Sequence, residues 1–374
     1  MVRILHVVKA MNCGGTENLI MNLYRHIDKS KVQFDFLVNT EEKAFFDDEI
    51  ENLGGHIYRV PAFKVYNWRK YVKALNGFFI DHPEISIVHG HLGSSAAIYL
   101  SVAKKHGCYA IAHSHATKAT ERSLNNLMFS IFSYFTRFIA DEFIACSTQA
   151  GIDRYGSKIV DSAKFSVMRN GIDVSSYVYD IDIRKAIRNK YGVSDSVTVV
   201  GHVGRFVEAK NHMFLLEAFA DFYSKQPDSE LWLIGDGELR NAIMEKAGEL
   251  GILSSIRFVG LVRNVNEYEQ AFDLFLFTSF YEGLGIALIE AETAGLRCII
   301  SDRIPSEADI GAGLITRMSL NEPVEEWGNT LIANSKYERE DMSSFAIKAG
   351  YDIKTVADDL CIKYLAIKRL IGDM

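Results

Sequence analysis

Cysteine and proline are scarce in this sequence and positive charge is not in excess, which argues against several classes of protein. Its 374 residues include five cysteines with no C-x-x-C pair, so neither a disulfide framework nor a zinc site is expected. Only five prolines occur, and no segment is of low complexity. The formal net charge is −7, which gives no reason to expect a nucleic-acid partner.

Long apolar runs are missing as well. No run reaches the roughly 18 consecutive apolar residues that suggest a membrane span. The opening stretch, MVRILHVV, is too short and too quickly polar for a signal peptide and instead predicts a buried strand. We therefore expect a cytoplasmic protein whose cysteines are buried or free thiols in a reducing compartment.

The chain is long enough for two domains, at about 100–200 residues each. Short apolar runs alternate with longer helical segments, a pattern that predicts parallel sheets covered by helices on both faces. The pattern restarts near residue 197, after a polar segment at 169–196. It predicts an α/β fold of two doubly wound domains with a ligand held between their crevices. Strands are predicted at 3–8, 34–38, 56–60, 85–91, 109–115, 142–147, 197–204, 230–237, 256–260, 274–279 and 297–302.

Two loops that follow predicted strands have the composition of phosphate sites. Gly14 and Gly15 precede the first helix, where a close backbone approach and free N–H groups suit a phosphate. A tight turn that only needs glycine explains them equally well, and the G-x-G-x-x-G fingerprint is absent. Arg205 and Lys210 follow the first strand of the second half, where a guanidinium fork and an ammonium suit a diphosphate. The alternative for these two is a solvated charged loop.

Two glutamates occur eight positions apart in the apolar stretch FTSFYEGLGIALIEAETAG. Glu282 is predicted in the turn after a strand, at the edge of the sheet that opens onto the crevice. Glu290 is predicted in the following helix, whose start offers the backbone amides of Gly283 and Leu284 to an anion. Carboxylates accept hydrogen bonds from vicinal hydroxyls, so the pair suits a nucleotide sugar. The alternative is that Glu282 caps the helix and Glu290 faces solvent.

The segment EGLGIALIE resembles the E-x7-E signature of the retaining glycosyltransferases of family 4, which have the GT-B fold. The resemblance extends over nearly the whole chain and favours the bacterial branch that builds capsular or exopolysaccharide repeat units. It also predicts the domains: 1–172 on the acceptor side, 173–351 on the nucleotide-sugar side, and a closing helix in 352–374 that returns to the first domain. The other segments that carry it are GGTE (14–17), HSH (113–115), NGID (170–173), GRFVEAKN (204–211), LIGDGELR (233–240) and SD-x-x-P-S-E (301–307).

The resemblance implies a role for each predicted site residue of the second domain. Arg205 and Lys210 would bind the donor diphosphate, and Glu290 would hold the ribose hydroxyls. Glu282 would bind hydroxyls of the donor sugar, helped by the amides of Gly283 and Leu284. The sequence GLG departs here from the Phe or Pro that often follows the first glutamate and glycine in the family, which bears on sugar preference.

Further roles are implied elsewhere in the chain. Gly14 and Gly15 would meet a phosphate from the other domain, and His115 matches the family histidine that contacts the donor sugar. His113 and His115 also share one face of a strand, so a purely structural pair stays open. The loop around Arg263 and Asn264 would lie beside the nucleotide base.

The reaction implied is transfer of a sugar, with retention, from a nucleoside diphosphate sugar to a hydroxyl of an acceptor glycan. A UDP-sugar is the expected donor, by family habit, and a glycan or polyprenyl-linked glycan the expected acceptor. No cofactor or metal is implied, because protein cations neutralise the diphosphate. A nucleotide-sugar 2-epimerase of GT-B fold and a non-catalytic nucleotide-binding protein are the alternatives.

Aromatic and basic residues are mixed in two stretches of the first domain, 63–79 and 124–138. They either rest on the inner face of the cell membrane, which would make the protein peripheral there, or pack as amphipathic helices on the first sheet. Two acidic motifs are interpreted structurally. The D-x-D at Asp180 and Asp182 is expected to be a solvated turn, and Asp236 is expected to cap a helix that begins near Glu238.

Overall fold

The chain forms two units in the computed structural model, which describes residues 1–12, 14–115 and 134–372. Unit 1 comprises Met1–Ile172 together with Asp352–Met374, and unit 2 comprises Asp173–Tyr351. Each unit is built around its own parallel β-sheet with helices on both faces. Among the described residues, no helix is long and apolar enough to cross a membrane.

Unit 1 contains a seven-stranded sheet in the order β3-β2-β1-β4-β5-β6-β7, in which every neighbouring pair is parallel. The strands are β1 (Val2–Val8), β2 (Val32–Val38), β3 (Ile57–Arg59), β4 (Ile87–Gly90), β5 (Tyr109–Ser114), β6 (Glu142–Ala145) and β7 (Phe165–Val167). The described α-helices are α1 (Gly15–His26), α2 (Asp47–Asn52), α3 (Trp68–Asp81), α4 (Ala96–Lys105), α5 (Thr148–Tyr155), α6 (Ser157–Val160) and, at the C-terminal end, α15 (Ile353–Gly372).

The sheet of unit 1 is buried on both faces because its central strands are apolar at successive positions. All seven residues of β2 are buried, so the strand lacks the alternation of a half-exposed sheet. On one face, Ile4 and Phe34 pack with α1 and with Tyr364 of α15. On the other face, Leu5 packs with Tyr71 of α3 and with α4. Residues 352–372 therefore complete the core of unit 1.

Unit 2 contains a six-stranded sheet in the order β10-β9-β8-β11-β12-β13, again with parallel pairs. The strands are β8 (Thr198–Val203), β9 (Ser229–Ile234), β10 (Ile256–Gly260), β11 (Leu274–Phe277), β12 (Arg297–Ser301) and β13 (Ile315–Met318). The helices are α7 (Val174–Tyr177), α8 (Ile181–Tyr191), α9 (His212–Lys225), α10 (Arg240–Glu249), α11 (Val265–Ala271), α12 (Ile286–Thr293), α13 (Val324–Asn334) and α14 (Ser343–Lys348).

The predicted fold class is confirmed, since each unit is a doubly wound α/β sheet and all eleven predicted strands are present. Two edge strands, β7 and β13, were not predicted. Both are short, and neither is a continuous buried run: Val167 and Arg317 are exposed. A strand that pairs on one side only needs less apolar surface than a central strand, so its sequence carries a weaker signal.

Of two local predictions about acidic residues, the one for Asp236 is wrong. Asp236 does not cap a helix from the N-cap position, because α10 begins only at Arg240 and the Asp236 carboxylate accepts instead from the N–H of Gly237, at 2.9 Å. Asp180 and Asp182 of the D-x-D are exposed, in agreement with the predicted solvated segment before a helix. Asp180 is the N-cap of α8 and accepts from the N–H groups of Asp182 and Ile183, at 2.8 and 3.2 Å.

The first aromatic and basic stretch, 63–79, contains a packed helix. Tyr71 and Leu75 of α3 are buried against the sheet, as the packing alternative predicted, while Tyr66 and Trp68 are exposed. Residues 124–133 of the second stretch lie outside the described part of the chain. A membrane contact by either stretch stays a prediction.

Candidate functional site

The predicted site residues of unit 2 lie at the reversal of its strand order. The chain runs outward from β8 to β9 and β10 and then returns to β11 on the other side of β8. Loops that follow β8 and β11 therefore leave the same edge of the sheet side by side, which is where α/β sheets bind ligands. The first loop carries Arg205 and Lys210, and the second carries Glu282.

Lys210 and Glu282 are in direct contact at this edge. The Lys210 ammonium lies 2.6 Å from Oε1 of Glu282, and both side chains are largely buried. The Ser279 hydroxyl donates to the same carboxylate oxygen, also at 2.6 Å. Lys210 further lies over the ring of Phe277, 4.9 Å from its centroid. The two charges are thus held in one geometry by neighbours from β11 and the loop that follows it.

The loop that carries Arg205 is hydrogen-bonded to the turn that follows β9. The N–H of Phe206 donates to the carbonyl of Asp236, and the N–H of Leu239 donates to the carbonyl of Phe206, both at 3.0 Å. A Cβ at Gly237 would lie 2.5 Å from the carbonyl oxygen of Phe206, so only glycine permits this approach. The Arg205 side chain itself is exposed and has no hydrogen bond or ion pair with any described residue.

The backbone before α12 supplies the N–H groups that the sequence suggested. Gly283 and Leu284 precede Gly285, the N-cap of the helix, whose φ of 91° lies in the left-handed region. That conformation favours glycine and turns the chain sharply into α12. None of the helix's capping hydrogen bonds comes from a side chain, so Glu282 is not a capping residue.

Glu290 lies in α12, where it is only partly exposed and accepts a hydrogen bond from the Tyr177 hydroxyl at 2.8 Å. Burial raises the pKa of Glu290 to about 7, against the smaller lowering effect of the tyrosine hydrogen bond. Glu269 is fully buried behind it, and its pKa is raised well above the usual range by burial and then by the charge of Glu290. Both Glu269 oxygens lack a hydrogen bond within the described residues.

Arg263 and Asn264 lie in the loop between β10 and α11. Arg263 is exposed. Asn264 is the N-cap residue of α11, and its side-chain amide donates to the Glu267 carboxylate at 2.5 Å. Asn264 thus has a structural partner, and the role predicted for this loop stays a prediction.

In unit 1, Gly14 and Gly15 form the start of α1. A Cβ on Gly14 would lie 2.3 Å from a carboxylate oxygen of Glu17, which is the end of a flexible side chain and can move aside. A Cβ on Gly15 would meet no described atom within 4 Å. Packing against the described backbone therefore requires glycine at neither position, and the helix start has room for a ligand.

His115 follows β5, at the sheet edge where β1 and β4 also end. Its Nε2 lies 2.7 Å from Nδ1 of His91. His113 is paired separately, with Nδ1 of its ring 3.1 Å from Nε2 of His89. Burial lowers the pKa of His115 to about 4 and that of His113 well below the usual range, so both rings are neutral at pH 7.

Sequence reasoning missed three residues that surround the predicted carboxylates: Tyr177, Glu269 and Ser279. Tyr177 is 113 positions from the glutamate that it contacts, and no local pattern relates the two. The sequence contains only a weak indication of Glu269, because a carboxylate at an apolar position of a helix is unusual. Ser279 lies three residues before Glu282 and was predicted only as the end of a strand.

Comparison with known proteins identifies the class. The model of the family described as Glycosyltransferase Family 4 matches residues 13–176, and that of Glycosyl transferases group 1 matches residues 183–323. EpsF of Bacillus subtilis (strain 168), whose name places it among glycosyltransferases, is 35% identical over 359 residues, which cover 94% of this chain and 93% of EpsF. The chain therefore belongs to the group 1 (family 4) glycosyltransferases and is a glycosyltransferase.

Similarity to two more distant proteins agrees with this assignment. The capsular polysaccharide biosynthesis glycosyltransferase CapH of Staphylococcus aureus is 24% identical over 318 residues, 83% of this chain and 84% of CapH. The crystal structure of HepE from Anabaena in complex with UDP has a TM-score of 0.77 at 16% identity, over 98% of this chain and 100% of HepE. A complex of HepE with UDP-glucose has a TM-score of 0.75. These structures share the GT-B fold of this chain.

Proposed function

We propose that this glycosyltransferase moves a sugar from a UDP-sugar to a hydroxyl of a glycan or lipid-linked glycan in surface polysaccharide synthesis, with retention of configuration. The contact between Lys210 and Glu282 carries the proposal. A cation for the leaving diphosphate and a carboxylate for sugar hydroxyls lie 2.6 Å apart at the strand-order reversal of unit 2. CapH is named for capsular polysaccharide synthesis, and HepE was solved with UDP and UDP-glucose, which supports the pathway and the donor.

The roles follow from the charge that develops during transfer. When the anomeric bond breaks, negative charge accumulates on the diphosphate and the sugar becomes oxocarbenium-like. Lys210 and Arg205 stabilise the diphosphate, and the amides of Gly283 and Leu284 add neutral donors. Glu282 accepts from hydroxyls of the donor sugar. Its hydrogen bond from Ser279 holds the carboxylate in place when the ammonium turns to the phosphate.

Glu290 is the proposed ribose ligand. A carboxylate can accept from two vicinal hydroxyls at once, and Tyr177 already orients this one. Arg263 and Asn264 are proposed to lie near the base. In unit 1, Gly15 with Gly14 is proposed to meet a phosphate and His115 a sugar hydroxyl.

Retention is explained by attack from the face on which the phosphate leaves. The acceptor hydroxyl forms the new glycosidic bond as the bond to the diphosphate breaks. Its proton passes to the departing phosphate oxygen, so the products are the extended glycan and protonated UDP. This course needs neither a protein nucleophile nor a metal ion, because the cations of the chain neutralise the diphosphate.

Calorimetric titration tests the donor site. We expect UDP to bind without magnesium, and GDP, ADP and NAD to bind more weakly. Lys210→Ala should lower the UDP affinity about 10- to 100-fold, since it removes a charged hydrogen-bond donor. Lys246→Ala is the matched control, because Lys246 also forms an ion pair, 2.8 Å from Glu217, but lies on α10. Equal UDP binding by wild type and Lys210→Ala, or binding of NAD alone, would contradict the site.

Product analysis separates the proposal from its rivals. A transferase releases UDP in step with glycan extension and forms an α-linked product from an α-linked donor. A 2-epimerase changes the sugar without any acceptor, and a non-catalytic binder leaves the donor intact. Release of UDP that depends on an added glycan acceptor is therefore the result we expect, and an epimerised sugar in the absence of acceptor would exclude it.

A further inference from the structure

Five buried or partly buried histidines form an array on one face of the unit 1 sheet. His6 lies on β1, His89 and His91 at the end of β4, and His113 and His115 at the end of β5. His6 and His89 are register partners on adjacent strands, and alternate residues of a strand share a face. The array is thus built by three neighbouring parallel strands.

The array consists of two rows of imidazole rings. In the first row, Nδ1 of His6 lies 2.9 Å from Nε2 of His91, and Nδ1 of His91 lies 2.7 Å from Nε2 of His115. The ring planes of these pairs differ by only 14° and 26°, so the rings join nearly edge to edge. The second row stacks against the first, with the centroids of His89 and His91 4.4 Å apart.

All three rings of the first row are neutral at pH 7. Burial lowers the pKa of His6 to about 3 and that of His115 to about 4. The pKa of His91 is also lowered well below its usual range, by burial and then by its histidine neighbours. A neutral imidazole carries one N–H and one bare nitrogen, so each ring can donate at one end and accept at the other.

Only two proton arrangements satisfy both hydrogen bonds of this row. Either every ring carries its proton on Nδ1 and donates toward His115, or every ring carries it on Nε2 and donates toward His6. Any mixture would oppose two N–H groups or two lone pairs at one of the contacts. The free ends are Nε2 of His6 and Nδ1 of His115, which are buried and have no hydrogen-bond partner among the described residues.

We propose that His91 and His6 are positioning residues that set, through this cooperative row, whether Nδ1 of His115 donates to or accepts from the donor sugar. The inference rests on the proposed contact of His115 with that sugar. At the His6 end of the row the neighbour is aromatic, with the ring centroids of His6 and Phe34 4.2 Å apart. An N–H can donate weakly to an aromatic ring whereas a bare nitrogen gains nothing there, so we expect the protons of the row on Nε2 and Nδ1 of His115 free to accept.

The second row supplies a matched control. His89 Nδ1 lies 2.5 Å from the Tyr364 hydroxyl, and burial raises the tyrosine pKa well above its usual range, so the hydroxyl keeps its proton. This hydroxyl has no other hydrogen-bond partner among the described residues, so we assign it as the donor to Nδ1 of His89, which places the protons of His89 and His113 on Nε2. Tyr364→Phe should therefore allow both tautomers of His89 and His113, while the tautomer of His115 should not change.

Imidazole 15N chemical shifts test the row in the intact protein without substrate, because protonated and bare ring nitrogens have well-separated resonances. We expect His6, His91 and His115 to share one tautomer, with bare Nδ1. His6→Phe, which alters neither partner atom between His91 and His115, should turn the single His115 tautomer into a mixture. Different tautomers among the three rings, or an unchanged His115 signal in His6→Phe, would overturn the proposal.

Two further variants keep the test decisive if His6→Phe does not fold. His91→Asn places an amide where Nδ1 was and keeps a partner for His115, whereas His91→Gln places it near Nε2 and keeps one for His6. The His115 tautomer should become mixed in both, and UDP-glucose turnover should fall about tenfold further in His91→Gln, the loss of one hydrogen bond. An equal loss of turnover in both variants with a single His115 tautomer would overturn the proposal.

Zinc titration tests the alternative that the clustered histidines bind a metal ion. Nitrogen atoms of His91, His113 and His115 lie within 4.8 Å of one another, and zinc accepts neutral imidazoles. Stoichiometric zinc binding that shifts these resonances would overturn the proposal in favour of a metal site. No binding supports it. Since the spectra need no turnover, a failure to transfer sugar would count against the proposed function alone.

Discussion

Neighbouring carboxylates of unit 2 differ in what neutralises them. Glu282 is paired with Lys210, so its charge is compensated before any ligand arrives. Glu290 has only the Tyr177 hydroxyl as a hydrogen-bond partner among the described residues and lies in front of the fully buried Glu269. Two like carboxyl groups in one buried region cannot both ionise at low cost. The site therefore contains one carboxylate that is paired with an ammonium and one whose charge depends on pH.

Donor binding should depend on pH through Glu290. Its pKa is raised to about 7 by burial, so the carboxyl is protonated below that pH and ionised above it. The proposed ribose contacts need the ionised form, which accepts at both oxygens. UDP-glucose affinity should therefore rise as the pH increases from about 6 to 8, until the carboxyl is fully ionised. Calorimetry with UDP-glucose measures this, because its diphosphate has no proton to lose in that range.

Glu290→Gln is the matched variant for this prediction. The amide keeps the shape of the side chain and its bond to Tyr177 but cannot ionise. We expect weak binding that no longer changes between pH 6 and 8. The same slope in wild type and Glu290→Gln would assign the pH dependence to another group.

At the scale of elements, ion pairs of Asp273 with Arg184 and Arg188 connect α8 to the sheet of unit 2. The Asp273 carboxylate, just before β11, accepts from Arg184 at 2.6 Å, from Arg188 at 2.5 Å and from the N–H of Val199 at 2.7 Å. Arg188 is only 1% exposed. A buried guanidinium is tolerated because the carboxylate and backbone carbonyls satisfy it.

Asp273→Ala should strongly destabilise unit 2. It leaves the Arg188 charge buried without its partner, which costs about 3–5 kcal/mol in comparable cases. Asp48→Ala is the control, because the ion pair of Asp48 with Lys43 is exposed and should contribute roughly 0–1 kcal/mol. Urea unfolding of both variants measures the difference. A loss of the same size in both would contradict the role assigned to these ion pairs of Asp273.

The histidine array also belongs to the scale of elements. Its five rings come from three strands that are neighbours in space. His6 lies within β1, and the other four histidines lie near the carboxyl ends of β4 and β5. The H-x-H spacing in β4 and β5 puts both rings of a pair on one face. Only the strand order β1-β4-β5 brings His6, from the first strand, beside them.

At the scale of the whole molecule, the last helix belongs with the first 172 residues. Val356, Leu360 and Tyr364 of α15 are buried in the core formed by α1, β1 and β2. Residue 352 pairs with Ile172 in a parallel bridge that begins this return. Unit 1 is thus made of two segments that are separated in the chain by the whole of unit 2.

A chain that ends after Tyr351 should therefore lose the structure of unit 1 and keep that of unit 2. Removing α15 exposes the apolar face of α1 and of the central strands, and a core that loses a whole helix has little stability left. Hydrogen exchange resolved by peptide measures protection in each unit. Retained protection of β1 and β2 would contradict the prediction.

Two point substitutions in α15 control for the truncation. Leu360→Ala, at a buried position, should cost about 2–5 kcal/mol by leaving a cavity. Ile362→Ala, on the exposed face of the same helix, should change the free energy of unfolding by less than about 0.5 kcal/mol.

Local pattern was sufficient for the central strands and for the positions of the site residues along them. Continuous apolar runs indicate strands that are buried on both faces, and Glu282 was correctly predicted in the turn between β11 and the next helix. The bounds of the helices after glycine-rich turns were less accurate, as the late start of α10 shows. Capping depends on backbone geometry that composition does not specify.

The contacts that give the site its chemistry are non-local. Lys210 and Glu282 are 72 positions apart, Tyr177 and Glu290 are 113 apart, and His6 and His91 are 85 apart. Residue types and period can assign each of these side chains to a strand end or a helix. Which of them touch depends on strand order, because parallel strands that are distant in sequence end side by side at one edge of a sheet. Strand order is a property of the packed core, and so only the tertiary structure could pair these groups and set their burial and charge.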